Sequence, residues 1–600
     1  MFNWNRNHGK IMLLLIYKIS YEGGGNNMSW QDTFKKWTSF AGLDEDLLNQ
    51  LNERAKNEKD LEDSFYKDLE FGTGGMRGML GPGTNRLNIY TIRKAVEGLA
   101  NYISKHVDNS YDKGVVIAYD SRYMSQTFAV EAARVLGAHG IKAYVFESIR
   151  PTPLLSFAVR HLKTAAGIMI TASHNPPEYN GFKIYNEDGG QVPLREAAAI
   201  IEEVNKIEDE LNVSVKSQDE IEREGLLEWV GGENVDQAYL QQLKTIRKQD
   251  KDNTVKIVFT PLHGTSYDLI MRGLAQSGFE NIYVVEEQAN LDPEFSTVSS
   301  PNPEEHQAFE MAIKKGLEKD ADILIGSDPD GDRLGVAVKN KEGSYQVLTG
   351  NQLGSLLLDY TLSQQAPSAL ENGQVIKTIV TTEMGRAIAS HYGVNTMDTL
   401  TGFKFIGEKI KEFESNEKHF LFGYEESYGY LIGDFVRDKD AVQAALAACE
   451  AANYWKAQGK SLLEALDTLY EQHGYYLEGM ESLTLKGKDG AEQIETIMAD
   501  IRKQPFEQLG ELDVIAVEDY HSSERILAKE NKQEAIDLPK ENVMKFLLEN
   551  DAWVCFRPSG TEPKIKSYFG VKTKSATDSK LLLEKIQTEV EKRMNNIINA

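Results

Sequence analysis

The segment Ser327-Asp-Pro-Asp-Gly-Asp-Arg333 follows an apolar run, Ile323-Leu-Ile325, and places Asp328, Asp330 and Asp332 at alternate positions of a short loop. Carboxylates so spaced can converge on one hard cation, and Gly331 lets the backbone turn sharply between them. An EF-hand also begins with alternate acids. Counted from Asp328, however, its sixth position is Arg333 and its twelfth Lys339, where glycine and a bidentate glutamate are needed. Three ligands leave coordination positions open, which suits Mg²⁺ that also holds a phosphate oxygen. The competing reading is an acidic, solvated turn.

Three further segments carry reactive groups. Thr171-Ala-Ser-His-Asn-Pro176 ends another apolar run, so Ser173 can be presented into a cleft at a strand's carboxyl end. It is not a G-x-S-x-G elbow, and without other context a Ser-His pair before Asn-Pro also reads as a plain turn. Arg557-Pro-Ser-Gly-Thr-Glu562 brings a guanidinium, two hydroxyls and glycine-exposed N–H groups together, a phosphate cradle or a polar hairpin. Gly423-Tyr-Glu-Glu-Ser-Tyr-Gly429 sets adjacent acids between glycines, able to hold sugar hydroxyls or simply to form an exposed loop.

The elements that must position these loops are strands followed by helices. Strands are expected at Val115 to Ala118, Ile141 to Phe146 and Gly167 to Thr171, with a helix over Phe128 to Leu136. The alternation returns with strands at 257–259, 282–285 and 323–325, and again at 375–380 and 419–422. A long helical region is expected from Val442 to Tyr470. This pattern implies α/β layers with parallel or mixed sheets, and the less regular last part an α+β unit. At about 150 residues per domain, 600 residues imply about four. The expected domains are 28–215 with the serine loop, 216–340 with the aspartate loop, 341–475 with the two-glutamate loop, and 476–600 with the arginine loop.

The formal net charge is −26, which disfavours nucleic acid and anionic membrane surfaces as partners. Cys449 and Cys555 cannot build a disulfide framework, which fits a reducing cytoplasm. The apolar run Ile11 to Tyr17 is too short to span a bilayer. Glu22-Gly-Gly-Gly-Asn-Asn27, just before Met28, has purine-rich codons that can read as a bacterial ribosome-binding site. Residues 1–27 are therefore expected to be a translated leader or a disordered tail.

In order and content, the serine, aspartate, glutamate and arginine loops resemble the α-D-phosphohexomutases, the phosphoglucomutase/phosphomannomutase superfamily, over about residues 60 to 570. The resemblance implies three related α/β domains with mixed sheets and a smaller α+β C-terminal domain around a central cleft. It implies that Ser173 carries the transferable phosphate, and that Asp328, Asp330 and Asp332 bind Mg²⁺ together with a Ser173 phosphate oxygen. Arg333 would lie near the phosphoserine, and Glu425 and Ser427 would hold sugar hydroxyls. Arg557, Ser559, Gly560 and Thr561 would grip the phosphate that is not transferred. Arg77, in Gly-Gly-Met-Arg-Gly78, and Lys183, in Tyr179-Asn-Gly-Phe-Lys183, match cationic positions where proton transfer takes place; His174, Gly402 and Lys404 match other cleft residues.

The implied activity is a phosphoglucomutase of the isomerase class, interconverting glucose 1-phosphate and glucose 6-phosphate through a bound glucose 1,6-bisphosphate. Its partners would be small sugar phosphates, and its assembly a monomer or small homo-oligomer. The alternatives are mannose or pentose phosphate on the same mechanism, or a non-catalytic sugar-phosphate binder. The bacterial phosphomannomutase and phosphoglucosamine mutase branches usually have histidine where this chain has Gly429, which weighs against mannose and glucosamine.

Overall fold

The structure, a computed structural model, describes residues 29–72, 74–248, 253–485, 487–530, 532–559 and 564–598. The expected leader, residues 1–27, and two phosphate-loop residues, Gly560 and Thr561, lie outside the described residues.

The first sheet is built from β1 (Gly75–Met79), β2 (Val115–Tyr119), β3 (Ala143–Phe146), β4 (Ala166–Ile170), β5 (Tyr179–Asn186) and β6 (Leu227–Val230), in the order β1-β5-β4-β2-β3-β6. Strands β4, β2 and β3 run parallel, whereas β1 pairs antiparallel with β5 at the edge. Every residue of β2 and β4 is buried, as a parallel strand covered on both faces requires. The helix expected over 128–136 runs from Ser125 to Ala138.

The second sheet has the order β11-β10-β9-β7-β8, from β7 (Ile257–Thr260), β8 (Ile282–Val284), β9 (Ile323–Ser327), β10 (Leu334–Lys339) and β11 (Tyr345–Val347). The third, β13-β12-β14-β15, uses β12 (Gly373–Thr378), β13 (Asn395–Thr399), β14 (His419–Glu425) and β15 (Gly429–Leu431). Both mix parallel and antiparallel pairs. Strand β6, from Leu227, lies well beyond the expected seam at 215, and β11, from Tyr345, just beyond that at 340.

The region from Val442 to Tyr470 is two helices, Ala441–Ala457 and Leu462–His473. Gly459 takes a left-handed φ of 74°, and Ser461 starts the second helix with a capping box to Glu464.

The C-terminal part is antiparallel. Its sheet runs β16 (Tyr475–Thr484), β23 (Lys564–Thr573), β22 (Trp553–Pro558), β21 (Met544–Leu548), β18 (Leu512–Asp519), β19 (Glu524–Leu527), β20 (Lys532–Ala535), with β17 (Gln508–Leu509) beside β18. Phe546, Val554, Phe556 and Phe569 bury one face against Ile497 and Ile501 of helix Gly487–Lys503 and Ile586 and Val590 of helix Ala576–Ile598. The protein thus has three α/β domains followed by a smaller α+β domain.

The chain divides into two compact units. One holds the residues up to Phe146 with Thr164–Ile184 and Leu194–Trp229; the other holds Glu147–Lys163, Tyr185–Pro193 and everything from Val230 on. No described helix is long and apolar enough to cross a membrane.

Candidate active site

Strand β4 ends at Ile170, and the chain turns through Thr171 and Ala172 into a buried Ser173 with a φ of 51°. A left-handed serine costs about 1–3 kcal/mol, so its surroundings must hold it there. The Ser173 N–H donates to Thr171 Oγ1 at 2.8 Å, and Ser173 Oγ lies 3.1 Å from His174 Nδ1. Arg122 donates to the Ser173 carbonyl at 2.6 Å.

Strands β1 and β5 bring two cations beside this loop. Their register sets Arg77 opposite Gly181 and Lys183 opposite Gly75, so both long side chains share one face as diagonal neighbours. Gly181 is required there, because a Cβ would lie 2.5 Å from the Thr171 carbonyl oxygen. Arg77 donates to Asn175 Oδ1 at 2.8 Å. Ser173, His174, Arg77 and Lys183 therefore lie together in the first compact unit.

The aspartate loop lies in the second unit, between β9 and β10. One carboxylate oxygen each from Asp328, Asp330 and Asp332 lie within 4.8 Å of one another, and all three residues are buried. Burial and the neighbouring carboxylates raise Asp328 well above the ordinary range. An all-oxygen donor set with three anionic ligands fits a hard divalent cation, which supplies the opposing charge. The loop is tied by its own backbone, with Asp332 N–H and Arg333 N–H donating to Asp328 Oδ1 at 3.1 and 3.0 Å. Thr152 donates from its N–H to the Asp330 carbonyl at 2.8 Å and from its hydroxyl to Asp330 Oδ2 at 3.2 Å. Gly331, at φ 67°, lies where a Cβ would come within 2.7 Å of Pro151 Cβ.

Lys439 stands 3.1 Å from Asp332 Oδ2 and 3.3 Å from Asp438 Oδ1. Burial alone would lower its pKa, but Asp332, Asp438 and Glu425 outweigh that and hold it well above the ordinary value. Arg333 pairs with Glu304. The two glutamates of the third loop differ. Glu425 ends β14 buried, which pushes its carboxyl up to about 7. Glu426 instead accepts from the Thr378 and Thr381 hydroxyls at 3.2 and 3.3 Å, an anchoring role. Ser427 beside them is half-buried.

Gly402, at φ 113°, precedes helix Phe403–Phe413, whose first turn holds Lys404. Burial lowers the Lys404 pKa, opposed by Glu541 and reinforced by Arg557. Arg557 on β22 is registered opposite Lys566 on β23, so both point from the same sheet face. The Ser559 N–H donates to the Lys564 carbonyl at 2.7 Å, closing the β22–β23 turn.

Arg122, Thr152, Glu304, Lys439 and Lys566 are absent from the motif reading. Local signals existed for two of them. Asp120-Ser-Arg122 follows a buried strand as the aspartate loop does, and Lys564-Ile-Lys566 alternates cations on a strand.

Three family models match the chain: phosphoglucomutase/phosphomannomutase alpha/beta/alpha domain I over residues 68–211, domain II over 237–343 and domain III over 349–473. A phosphoglucomutase of Staphylococcus haemolyticus (strain JCSC1435) is 38% identical over 510 residues, spanning 85% of this chain and 91% of that protein. One from Staphylococcus epidermidis (strain ATCC 35984) is 38% identical over 526 residues, spanning 88% and 94%. Among solved structures, the open form of Paramecium pp63/parafusin covers 89% of this chain and 96% of its own at 17% identity, with a TM-score of 0.66. A phosphoglucomutase/phosphomannomutase family protein of Burkholderia thailandensis covers 88% and 97% at 18% identity, with a TM-score of 0.61. These two likenesses establish the fold, while the matched domains and the identity to the staphylococcal enzymes establish descent. The chain belongs to the phosphoglucomutase/phosphomannomutase family, on its phosphoglucomutase-like side.

Proposed function

We propose that the protein is a phosphoglucomutase, interconverting glucose 1-phosphate and glucose 6-phosphate. The observation that carries this reading is the buried trio Asp328, Asp330 and Asp332, in a chain that also presents a left-handed, buried Ser173. The curated relatives at 38% identity are named phosphoglucomutases, which favours glucose as the sugar.

In this reaction phosphorylated Ser173 gives its phosphoryl group to the free 6-hydroxyl of glucose 1-phosphate. The O6–P bond forms as the Ser173 Oγ–P bond breaks, and the hydroxyl proton passes to a base. The resulting 1,6-bisphosphate turns over, and its 1-phosphoryl group returns to Ser173 Oγ, leaving glucose 6-phosphate. Phosphoryl transfer of this kind depends on positioning and on neutralising charge on the phosphoryl oxygens. Mg²⁺ held by Asp328, Asp330 and Asp332 would supply that positive charge. Arg77 and Lys183 provide cations and proton carriers beside Ser173. Glu425 and Ser427 receive sugar hydroxyls in either orientation. Arg557, Ser559, Gly560 and Thr561 hold the phosphate that stays on the sugar, with Lys404 and Lys566 adding charge. The two free, buried cysteines accord with a cytoplasmic enzyme.

The test is a panel of glucose, mannose, glucosamine and ribose 1-phosphates with Mg²⁺ and a trace of glucose 1,6-bisphosphate. Glucose phosphate is expected to turn over fastest, and Ser173→Ala to abolish isomerisation. Full activity in that variant removes the phosphoserine mechanism. Faster turnover of ribose phosphate makes the protein a phosphopentomutase.

A further inference from the structure

Resting on that reading of Ser173, we propose that the Asp120–Arg122 pair is the positioning device of the catalytic serine, a clamp that sets the loop before any substrate arrives.

Both side chains are fully buried, at 0% exposure, with Arg122 Nε 3.4 Å from Asp120 Oδ2. A buried guanidinium is costly unless its donors are met, and here both terminal nitrogens meet one loop. One terminal nitrogen donates to the Ser173 carbonyl at 2.6 Å and to the Asn175 carbonyl. The other donates to the carbonyls of Pro176 and Tyr179 at 2.8 and 3.0 Å. Four carbonyls between 173 and 179 therefore converge on one rigid, planar fork. Because these bonds go to backbone, they do not depend on whether Ser173 carries a phosphate.

The pair is itself fixed from below. Asp120 Oδ1 accepts from the Arg122 N–H at 3.0 Å and from the Ser125 hydroxyl at 2.7 Å. Asn180 donates to the Ser125 hydroxyl at 2.8 Å and to the Tyr123 carbonyl at 2.9 Å. The 120–125 turn and the 173–180 loop are thus stitched at both ends. This arrangement explains how a serine can be held at φ 51°, outside the region its side chain prefers. Arg122 spends its terminal nitrogens on carbonyls, so its role is to orient Ser173 and not to bind the transferring phosphate. Lysine cannot replace it, since an ammonium lacks the flat fork that reaches four acceptors at once.

The experiment compares full-length wild type with Arg122→Lys and Arg122→Ala in the glucose 1-phosphate assay, and adds peptide-level hydrogen exchange and a thermal melt. The expected result is a kcat lower by about 10²-fold, with KM changed by less than about threefold. Millimolar guanidinium should restore part of the Arg122→Ala kcat, and exchange should quicken across 171–180. If Arg122→Ala does not fold, Arg122→Lys decides. A folded variant with wild-type kcat overturns the proposal. So does an activity loss that follows the folded fraction and is not rescued by guanidinium, which makes the pair merely structural. A wild-type chain inert on every sugar phosphate defeats the functional reading instead. In that case exchange across 171–180 still judges the clamp, and unchanged exchange overturns it.

Discussion

Gly429 makes the space that Lys439 occupies. A Cβ at residue 429 would overlap the Lys439 stem, lying 2.7 Å from its Cγ, and would come within 3.0 Å of Glu425 Oε1. The space at residue 429 takes the Lys439 stem, whose ammonium reaches Asp332 at 3.1 Å. Gly429→Ala is therefore expected to lower kcat/KM for glucose 1-phosphate by about tenfold or more. Gly429→His should do so without creating mannose phosphate activity while Lys439 is present. Steady-state kinetics on both sugars check this, and unchanged kinetics in Gly429→Ala would show that Lys439 does not depend on that space.

The three aspartates set function against stability. Asp328 is raised by burial beside two other carboxylates, which Arg333 opposes only in part, so neutralising it relieves repulsion. Asp328→Asn keeps an oxygen for the Asp332 and Arg333 N–H groups. The variant should melt higher than wild type in chelator, lose the rise in melting temperature that Mg²⁺ gives wild type, and lose about 10²-fold or more in kcat. A lower melting temperature in chelator would contradict the repulsion argument.

Asp440 offers a pH signature. It caps helix Ala441–Ala457, accepts from the Tyr239 hydroxyl at 2.7 Å, and burial pushes its carboxyl up to about 6. With the folded pKa above the ordinary 3.8, the native state binds a proton that the unfolded chain releases. The contribution of Asp440 to wild-type stability therefore falls as pH rises from about 4 to about 6 and is level above that. Asp440→Asn, still a good cap, escapes the loss. Its stability relative to wild type should climb across that window by up to about 3 kcal/mol. Parallel melts at several pH values decide it; a difference that shrinks with pH would mean the charged cap is the stabilising form.

Lys566 shares a sheet face with Arg557 through direct register. Removing its charge should weaken the hold on the spectator phosphate in ground and transition states alike. Lys566→Gln is expected to raise KM for glucose 1-phosphate by about tenfold, with kcat changed less than about threefold. A kcat loss at constant KM would instead put Lys566 on the transferring phosphoryl group.

What the sequence made legible was local. The serine, aspartate and glutamate loops each span only a few residues and follow an apolar strand, so Ser173, Asp328 and Glu425 stand out as candidates locally, while their roles come from the order of the four loops and the family they resemble. The three α/β rounds were legible for the same reason, since fully buried strands such as β2 and β4 appear as unbroken apolar runs. Lys439 and Arg122 were not legible, because nothing beside them in the chain names their partners. Lys439 meets Asp332, more than a hundred residues earlier in the chain, and Arg122 meets carbonyls more than fifty residues away. The long C-terminal helix of the third round failed at Gly459, a single glycine that a helical pattern tolerates but whose left-handed φ ends the helix.

The two bonds from Thr152 to Asp330 join residues 178 positions apart. A fragment beginning at the second α/β round would contain all three aspartates and still lack the threonine that fixes the middle one. During synthesis the aspartate loop emerges long after Thr152, and closing so large a loop is slow and entropically costly. Cation affinity should therefore be among the last properties gained on refolding, and the first lost on truncation from the amino end.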